Sequence, residues 1–172
     1  MKRLVKIRSM RNEERGDTLL EFAISAIVIF TLLFGIMEFA RAMYLYHFVS
    51  YAAQAGTRYA IVRGSSWSTA CSSSTTGFGC NAANTDVTAY VKSIAPPGVD
   101  TSKLSVSATW PGTAAGSSGA TCANTSTPAK TNDNNPGCIV QVQVTYPFTF
   151  IAPFMPTATP TFSATSQQAI QQ

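Results

Sequence analysis

Two residues at the start of a long apolar run have types and spacing that invite a chemical explanation. Glu21 places a carboxylate inside residues 18–37, which carry no other charge. Moving a carboxylate into a bilayer costs at least ~2.5 kcal/mol, so this position needs a reason. One reason is a location among the lipid headgroups, where an acid in the first helical turn also suits the helix dipole. The other involves Gly16, which directly follows a basic leader and opens the apolar helix.

The inventory of reactive side chains argues against an enzyme. Beyond residue 64 the acids are Asp86, Asp100 and Asp133, and this region has no His and no G-x-S-x-G motif. A nucleophile and base pair cannot be assembled from that set unless a Lys serves as the base. His47, the single His, is expected on the helix surface or against the head. We therefore predict no catalytic residue, no metal and no cofactor.

The charge distribution predicts a membrane topology. Six of the 12 Lys and Arg residues lie in residues 1–16, and the remainder of the chain is neutral. Basic residues before an apolar run stay on the cytoplasmic side, and about 20 helical residues span a bilayer core. We expect residues 1–16 in the cytoplasm, a membrane helix over 17–38 and an extracytoplasmic head. A nucleic-acid partner is not expected, because the basic excess is confined to the leader.

The four cysteines all lie on the predicted outer side of the membrane. An even number of cysteines in an oxidising compartment indicates disulfides, and three pairings are possible. We expect Cys71–Cys80 and Cys122–Cys138, which would close two short loops. A zinc or redox site is not indicated, since no C-x-x-C motif occurs.

Apolar periodicity predicts a single helix that continues beyond the membrane. The pattern runs from about Thr18 to Val62 and ends near Gly64. Residues 39–63 are amphipathic, and Glu38 and Arg41 fall largely off the apolar stripe. The stripe expected to face the head comprises Phe39, Ala42, Met43, Tyr46, Val49, Ala53, Gly56 and Ala60.

The predicted head, residues 64–172, is a small antiparallel sheet with one short extra helix, so the fold class is α+β. The helix lies within residues 84–98, with Asn84 or Thr85 as its cap and Pro96-Pro97 at its end. Strands are expected within residues 103–110 and 139–150 and, as a third, within 159–169. On the first two strands the inward-facing residues are Leu104, Val106, Ala108, Trp110, Val140, Val142, Val144 and Tyr146.

The stretch "RGDTLLEFAI…FGIMEFAR" resembles the TadE-like proteins, pseudopilins of the tight-adherence, type IV-like pilus system. The matching features are an Arg-Gly pair, a Glu followed by an aromatic residue, and a later Gly, Glu and Arg cluster. The far end, "VQVQVTYPFTFIAPF" followed by "FSATSQQ", is also similar. In this sequence the N-terminal features are Arg15-Gly16, Glu21-Phe22, and Gly35, Glu38 and Arg41.

The resemblance implies a processing site and an assembly residue. A prepilin peptidase would cleave after Gly16 and free an amine on Asp17. Glu21 would pair with the new amine of a neighbouring subunit and set its register, and Asp17 would compete for that amine. Phe22 in place of Tyr, together with the large head, favours a minor pseudopilin over the main fibre subunit.

The implied partners are membrane lipid, a prepilin peptidase, other pilin or pseudopilin subunits, and the inner-membrane assembly platform. The implied location is the bacterial inner membrane, with the head outside and incorporation into a surface pilus as a further step. Two alternatives stay open. The chain could remain uncleaved as an assembly factor, or signal peptidase could cut at the A-x-A sequence Ala40–Ala42 and release the head.

Overall fold

The computed structural model describes residues 4–65, 67, 81–116, 122, 124–125, 134–151 and 158–171, with side chains from residue 16 onward. The fold is α+β, as predicted: a long helix, a short helix and an antiparallel sheet. In chain order the elements are α1 (Leu4–Val62), α2 (Asn84–Ser93), β1 (Ser105–Pro111), β2 (Asn124–Thr125), β3 (Ile139–Pro147) and β4 (Thr161–Ala169).

The chain divides into two compact units, and α1 contributes residues to both. The first unit contains Met1–Arg41 together with Phe150–Pro156. The second contains Ala42–Thr149 and Thr157–Gln172. We call the second unit the head. This head is larger than the one predicted over residues 64–172, because it also includes the last part of α1 beside α2 and the four described strands.

Helix α1 ends where the sequence predicted but begins earlier. Its last residue is Val62, and the Arg63 N–H donates to the Ala60 carbonyl oxygen at 3.2 Å as the helix closes. Its first residue is Leu4, not one near Thr18. The leader explains the difference, because it is rich in Arg, Lys, Glu and Met, which are good helix formers, and contains no Pro.

The head sheet has the strand order β2-β1-β3-β4, and all of its pairs are antiparallel. β3 is central: Val144 lies opposite Val106 of β1 on one side and opposite Ala164 of β4 on the other. β3 ends at Pro147, which has no N–H to continue the ladder. The predicted strand positions are therefore confirmed, with the two-residue β2 as an addition at one edge.

Side chains alternate between buried and exposed along β1 and β3, and the buried ones form much of the core of the head. The side chains that face inward on β3 are all buried, whereas its other positions are partly or fully exposed. β1 follows the same pattern except at Val106, which is only partly buried. The buried strand residues, or those adjoining a strand, are Leu104, Ala108, Trp110, Cys138, Val140, Val142, Val144, Tyr146, Phe148 and Ile170.

Within the head, α1 packs against the sheet and α2 through small residues. A Cβ added to Gly56 would lie 3.0 Å from Val91 Cγ2 and 3.1 Å from Val142 Cγ1. The Thr57 hydroxyl donates to the Ala53 carbonyl oxygen at 2.8 Å and lies 3.3 Å from that of Ser166. Backbones approach this closely only where side chains are small.

The predicted apolar stripe is only partly correct. Val49, Ala53, Gly56 and Ala60 are buried, but Phe39, Met43 and Tyr46 are exposed, and Ala42 is intermediate. The buried face of this part of α1 instead includes Leu45, Phe48, Ala52, Ala55, Thr57 and Tyr59. A wider face is buried because both α2 and the sheet contact the helix.

The cap predicted for α2 is wrong. The N-cap residue is Ala83, and its N–H donates to Oδ2 of Asp86, in the first turn of the helix, at 3.1 Å. Asn84 instead turns toward the sheet, where its Oδ1 accepts the Ala108 N–H at 2.8 Å. This long-range bond ties the start of α2 to β1. The helix ends at Ser93, before the two prolines, as expected.

Residues 94–104 join α2 to β1 and include the turn at Asp100. The Asp100 N–H donates to the Tyr146 phenol oxygen at 3.3 Å, which holds the turn on β3. The Asp100 carboxylate accepts hydrogen bonds from the Ser102 hydroxyl and the Ser102 N–H at 2.6 and 3.0 Å. These bonds favour the charged form and lower the pKa of Asp100 from its ordinary value.

Candidate membrane and assembly site

The part of α1 that follows Gly16 presents an apolar surface on all sides. Its large side chains from Leu19 to Met37 are exposed, and Phe22 has 73% of its surface accessible. Within the described residues, one helical segment, Gly16–Val62, is long and apolar enough to cross a membrane, and its best window has a mean hydropathy of 2.4. A surface this apolar fits lipid or other helices far better than water.

The residues predicted for cleavage and register lie together at the start of that surface. Gly16, Asp17, Glu21 and Phe22 are all helical and all exposed. Nothing lies within 4 Å of the place where a Gly16 Cβ would be. The backbone at Gly16 is therefore not covered by packing from the part of the chain that the structure describes.

The carboxylates of Asp17 and Glu21 share one side of α1. They are four residues apart, which places them one turn from each other on the same face. Both residues, with Leu20 and Ile24, line one shallow, open depression on the helix. Like charges four residues apart on a helix repel each other, so a single cationic group that approaches both carboxylates would be favoured.

The predicted cluster of Gly35, Glu38 and Arg41 is only partly brought together. Arg41 Nη1 donates to Glu38 Oε2 at 2.9 Å, forming an ion pair between residues three apart. Gly35 has no atom within 4 Å of its Cβ position. The helix therefore brings Glu38 and Arg41 together, while Gly35 has open space at its Cβ position.

Glu38 makes one contact that the sequence analysis missed. The residue is only 6% exposed, and its Oε1 accepts the Ile151 N–H at 2.8 Å. Both residues belong to the first compact unit. The expectation that Glu38 would fall off the buried face is therefore wrong, because a main-chain donor 113 residues away covers it. Nothing in the local sequence signals so distant a partner.

One of the two predicted disulfides lies among the described residues. Cys122 and Cys138 are bonded, with their Cα atoms 5.7 Å apart, and this is the pairing expected for them. Cys138 is buried, and its backbone pairs with that of Ala114 in an isolated β-bridge. The disulfide therefore fixes the chain just before β3 begins. Cys71 and Cys80 lie outside the described residues.

The described ranges contain no cluster of three or more His, Cys, Asp or Glu residues that could hold a metal ion. His47 is exposed, and its ring lies edge-on to that of Tyr46 at 6.0 Å. An exposed position on the helix is one of the two expected from the sequence.

These features define a class: an α+β protein with an apolar N-terminal helix suited to membrane anchoring. Residues 16–58 match the family model of the TadE-like protein, which confirms the resemblance over this part of the chain. The match begins at Gly16 and includes Glu21, Glu38 and Arg41. No curated protein and no solved structure gives a significant match.

The family match indicates the general function of the protein. TadE-like proteins are structural proteins associated with tight-adherence pili and are not known as enzymes. The match thus indicates a pilus-associated protein that acts with other pilus components. The matched region covers 43 of the 172 residues, all of them in α1.

Proposed function

We propose that this protein is a minor pseudopilin of a tight-adherence pilus, processed after Gly16 and assembled through its N-terminal helix. The observation that carries the proposal is the exposed pair Gly16 and Glu21 at the start of the apolar surface of α1. A prepilin peptidase would cleave the Gly16–Asp17 bond on the cytoplasmic face. The shortened helix would then pack with the helices of other subunits.

The proposed role of Glu21 follows from the free-energy cost of placing its carboxylate in apolar surroundings. An uncompensated carboxylate among apolar side chains is unfavourable, whereas one beside a cation is tolerated and fixes geometry. Cleavage supplies such a cation, since it frees an amine on Asp17. The amine of a neighbouring subunit could approach the depression that Asp17 and Glu21 line, which would set one register between adjacent helices.

The apolar side chains of α1 are suited both to the membrane before assembly and to the fibre after it. Before assembly their exposed surface is suited to the lipid core, and after assembly the same surface is suited to neighbouring helices. At the far end of the span, buried Glu38 is paired with the partly exposed Arg41, so their charges compensate each other. Asp17 and Glu21 are both exposed and remain available to another subunit.

The leading alternative is an uncleaved membrane protein that assists pilus assembly. Such a protein would use the same helix as a permanent anchor and would keep residues 1–16. Glu21 would then lie among the headgroups at the cytoplasmic edge of the bilayer. This alternative differs from the proposal in whether the Gly16–Asp17 peptide bond is intact or cleaved.

The secreted-head alternative is disfavoured by the backbone around Ala40–Ala42. These residues lie inside α1, and a peptidase would have to unwind the helix to reach the bond. Ala is the best helix former, whereas Gly in a helix interior costs about 1 kcal/mol relative to Ala. Local opening is therefore easier at Gly16 than at Ala42.

The test is the mature N-terminus, determined by intact mass and N-terminal sequencing on membrane and sheared-surface fractions. We expect Asp17 as the first residue. Gly16→Leu should abolish processing, while Gly35→Leu, which alters another helical Gly with open space around it, should not. Met1 in the wild type would favour the assembly factor, and Met43 would show that the head is released.

A further inference from the structure

Residue Ile151 lies in the chain that leaves the sheet after β3, which ends at Pro147. Its apolar side chain is 75% exposed. Its N–H is held by Glu38 Oε1 at 2.8 Å, within the first compact unit. Residues 134–172 carry no Asp, Glu, Lys or Arg, so the sequence around it has no charge that would oppose contact with lipid.

The hydrogen bond sets the depth of Ile151. Glu38 is the first charged residue after the uncharged run Phe22–Met37. Between Glu21 and Glu38 the helix rises roughly 25 Å, close to the thickness of a bilayer core. If Glu21 lies near one boundary of that core, Glu38 lies near the other. The backbone of Ile151 is then fixed at that second boundary by its bond to Glu38.

The local electrostatics suit such a boundary. The Glu38 carboxylate is compensated by Arg41 at 2.9 Å and by the Ile151 N–H, so it does not need water on those sides. About 31% of the Arg41 side chain remains exposed, and a long basic side chain can direct its charge toward phosphate while its stem contacts lipid. Phe39, next to Glu38, is also exposed.

We propose that Ile151 forms a second membrane contact, at the headgroup–acyl boundary of the outer leaflet. Glu38 is the positioning residue that holds this contact on the membrane helix. The partner is the lipid itself, because the bound segment and the lipid-suited surface of α1 belong to the same compact unit. The proposal rests on insertion of α1 in a membrane and is independent of cleavage and pilus assembly.

The test measures the depth of Ile151 in the full-length protein in phosphatidylcholine–phosphatidylglycerol vesicles. A spin label on I151C would be compared with labels on I36C, inside the apolar run, and K103C, on the head. Collision with oxygen reports lipid, and collision with a water-soluble nickel chelate reports water. Wild-type protein carried through the same labelling controls for reaction at the native cysteines.

The measured quantity is the rate of collision of the spin label with oxygen divided by its rate of collision with the nickel chelate. We expect this oxygen-to-nickel ratio at residue 151 to be several-fold above that at residue 103 and below that at residue 36. This would place the label about 5–10 Å into the headgroup–acyl boundary. A ratio at 151 equal to that at 103, with 36 in lipid, would overturn this inference alone. Water-like ratios at both 36 and 151 would overturn membrane anchoring and this inference together.

Variants of Glu38 test whether this residue holds the contact. Glu38→Gln keeps an oxygen that can accept the Ile151 N–H and should retain the ratio. Glu38→Ala removes the acceptor and should increase motion of the label and lower the ratio. An unchanged spectrum in Glu38→Ala would show that Glu38 does not position the segment. Low collision with both oxygen and nickel at 151 would mean that another protein copy covers it, which also contradicts a lipid contact.

Discussion

The two glutamates of the matched segment differ in their surroundings, and this difference separates their roles. Glu38 is buried, paired with Arg41 and bonded to the Ile151 N–H. Glu21 is exposed and shares its depression with a second acid, Asp17. The charge of Glu38 is thus compensated within the chain, whereas the charge of Glu21 is directed toward whatever approaches the helix. Of these two glutamates, Glu21 is the one whose side chain is exposed to an approaching group.

The substitution Glu21→Gln should block assembly without blocking processing. The amide keeps the shape of the side chain but cannot neutralise a buried amine, and removing one partner of a buried ion pair costs about 3–5 kcal/mol. We expect the protein in the sheared-surface fraction to fall by about 100-fold or more. Quantitative immunoblots of membrane and sheared fractions would measure this.

Asp17→Asn provides the matched control for Glu21→Gln, because it removes the other carboxylate of the same depression. It should leave assembly equal to or above the wild-type level, since Asp17 competes with Glu21 for the amine. Equal losses in both variants would mean that the depression acts only through its total charge. Normal assembly of Glu21→Gln would contradict a register role for this residue.

At the scale of elements, local periodicity in the sequence predicted most of the head. The alternation of Val140, Val142 and Val144 specified β3 and its buried face, because side chains on a strand point alternately to opposite sides. Contacts between distant segments could not be predicted in this way. The bonds from Asn84 to the Ala108 N–H and from Glu38 to the Ile151 N–H depend on how the elements pack, and no local pattern encodes them.

The closest packing of α1 within the head is at Gly56, and Gly56→Ala should destabilise the head. The new Cβ would lie 3.0 Å from Val91 Cγ2 and 3.1 Å from Val142 Cγ1. Overpacking costs about 1–3 kcal/mol, whereas Ala gains about 1 kcal/mol of helix propensity over Gly. We expect a net loss of about 1 kcal/mol and a Tm lower by about 2–4 °C, measured by circular dichroism in detergent.

Two variants show whether crowding at Gly56 is the cause. Gln54→Ala changes an exposed position on the same stretch of α1 and should alter the free energy of unfolding by less than about 0.5 kcal/mol. In a Val91→Ala background the effect of Gly56→Ala should shrink, because one of the two crowding side chains has been shortened. A Tm that rises in Gly56→Ala would contradict the close approach.

For the whole molecule, the distribution of charge determines the expected orientation in the membrane. Half of the Lys and Arg residues lie before Gly16, and the apolar run of α1 follows at once. Basic residues next to a membrane helix remain on the cytoplasmic side. The Cys122–Cys138 disulfide is consistent with the other side, because such bonds persist in oxidising compartments. Both observations favour a cytoplasmic leader and an extracytoplasmic head.

Lysine labelling tests this orientation on the native head sequence. An amine reagent that cannot cross membranes should modify Lys92 and Lys103, both exposed on the head, in intact spheroplasts. It should modify Lys2 and Lys6 only after lysis, and the Gly16→Leu variant keeps these two lysines in the product. Peptide mass spectrometry distinguishes the four sites. Labelling of Lys2 and Lys6 in intact spheroplasts, with Lys92 and Lys103 protected, would show the opposite topology. That result would contradict cleavage by the prepilin peptidase, incorporation into a pilus and the outer-leaflet contact of Ile151.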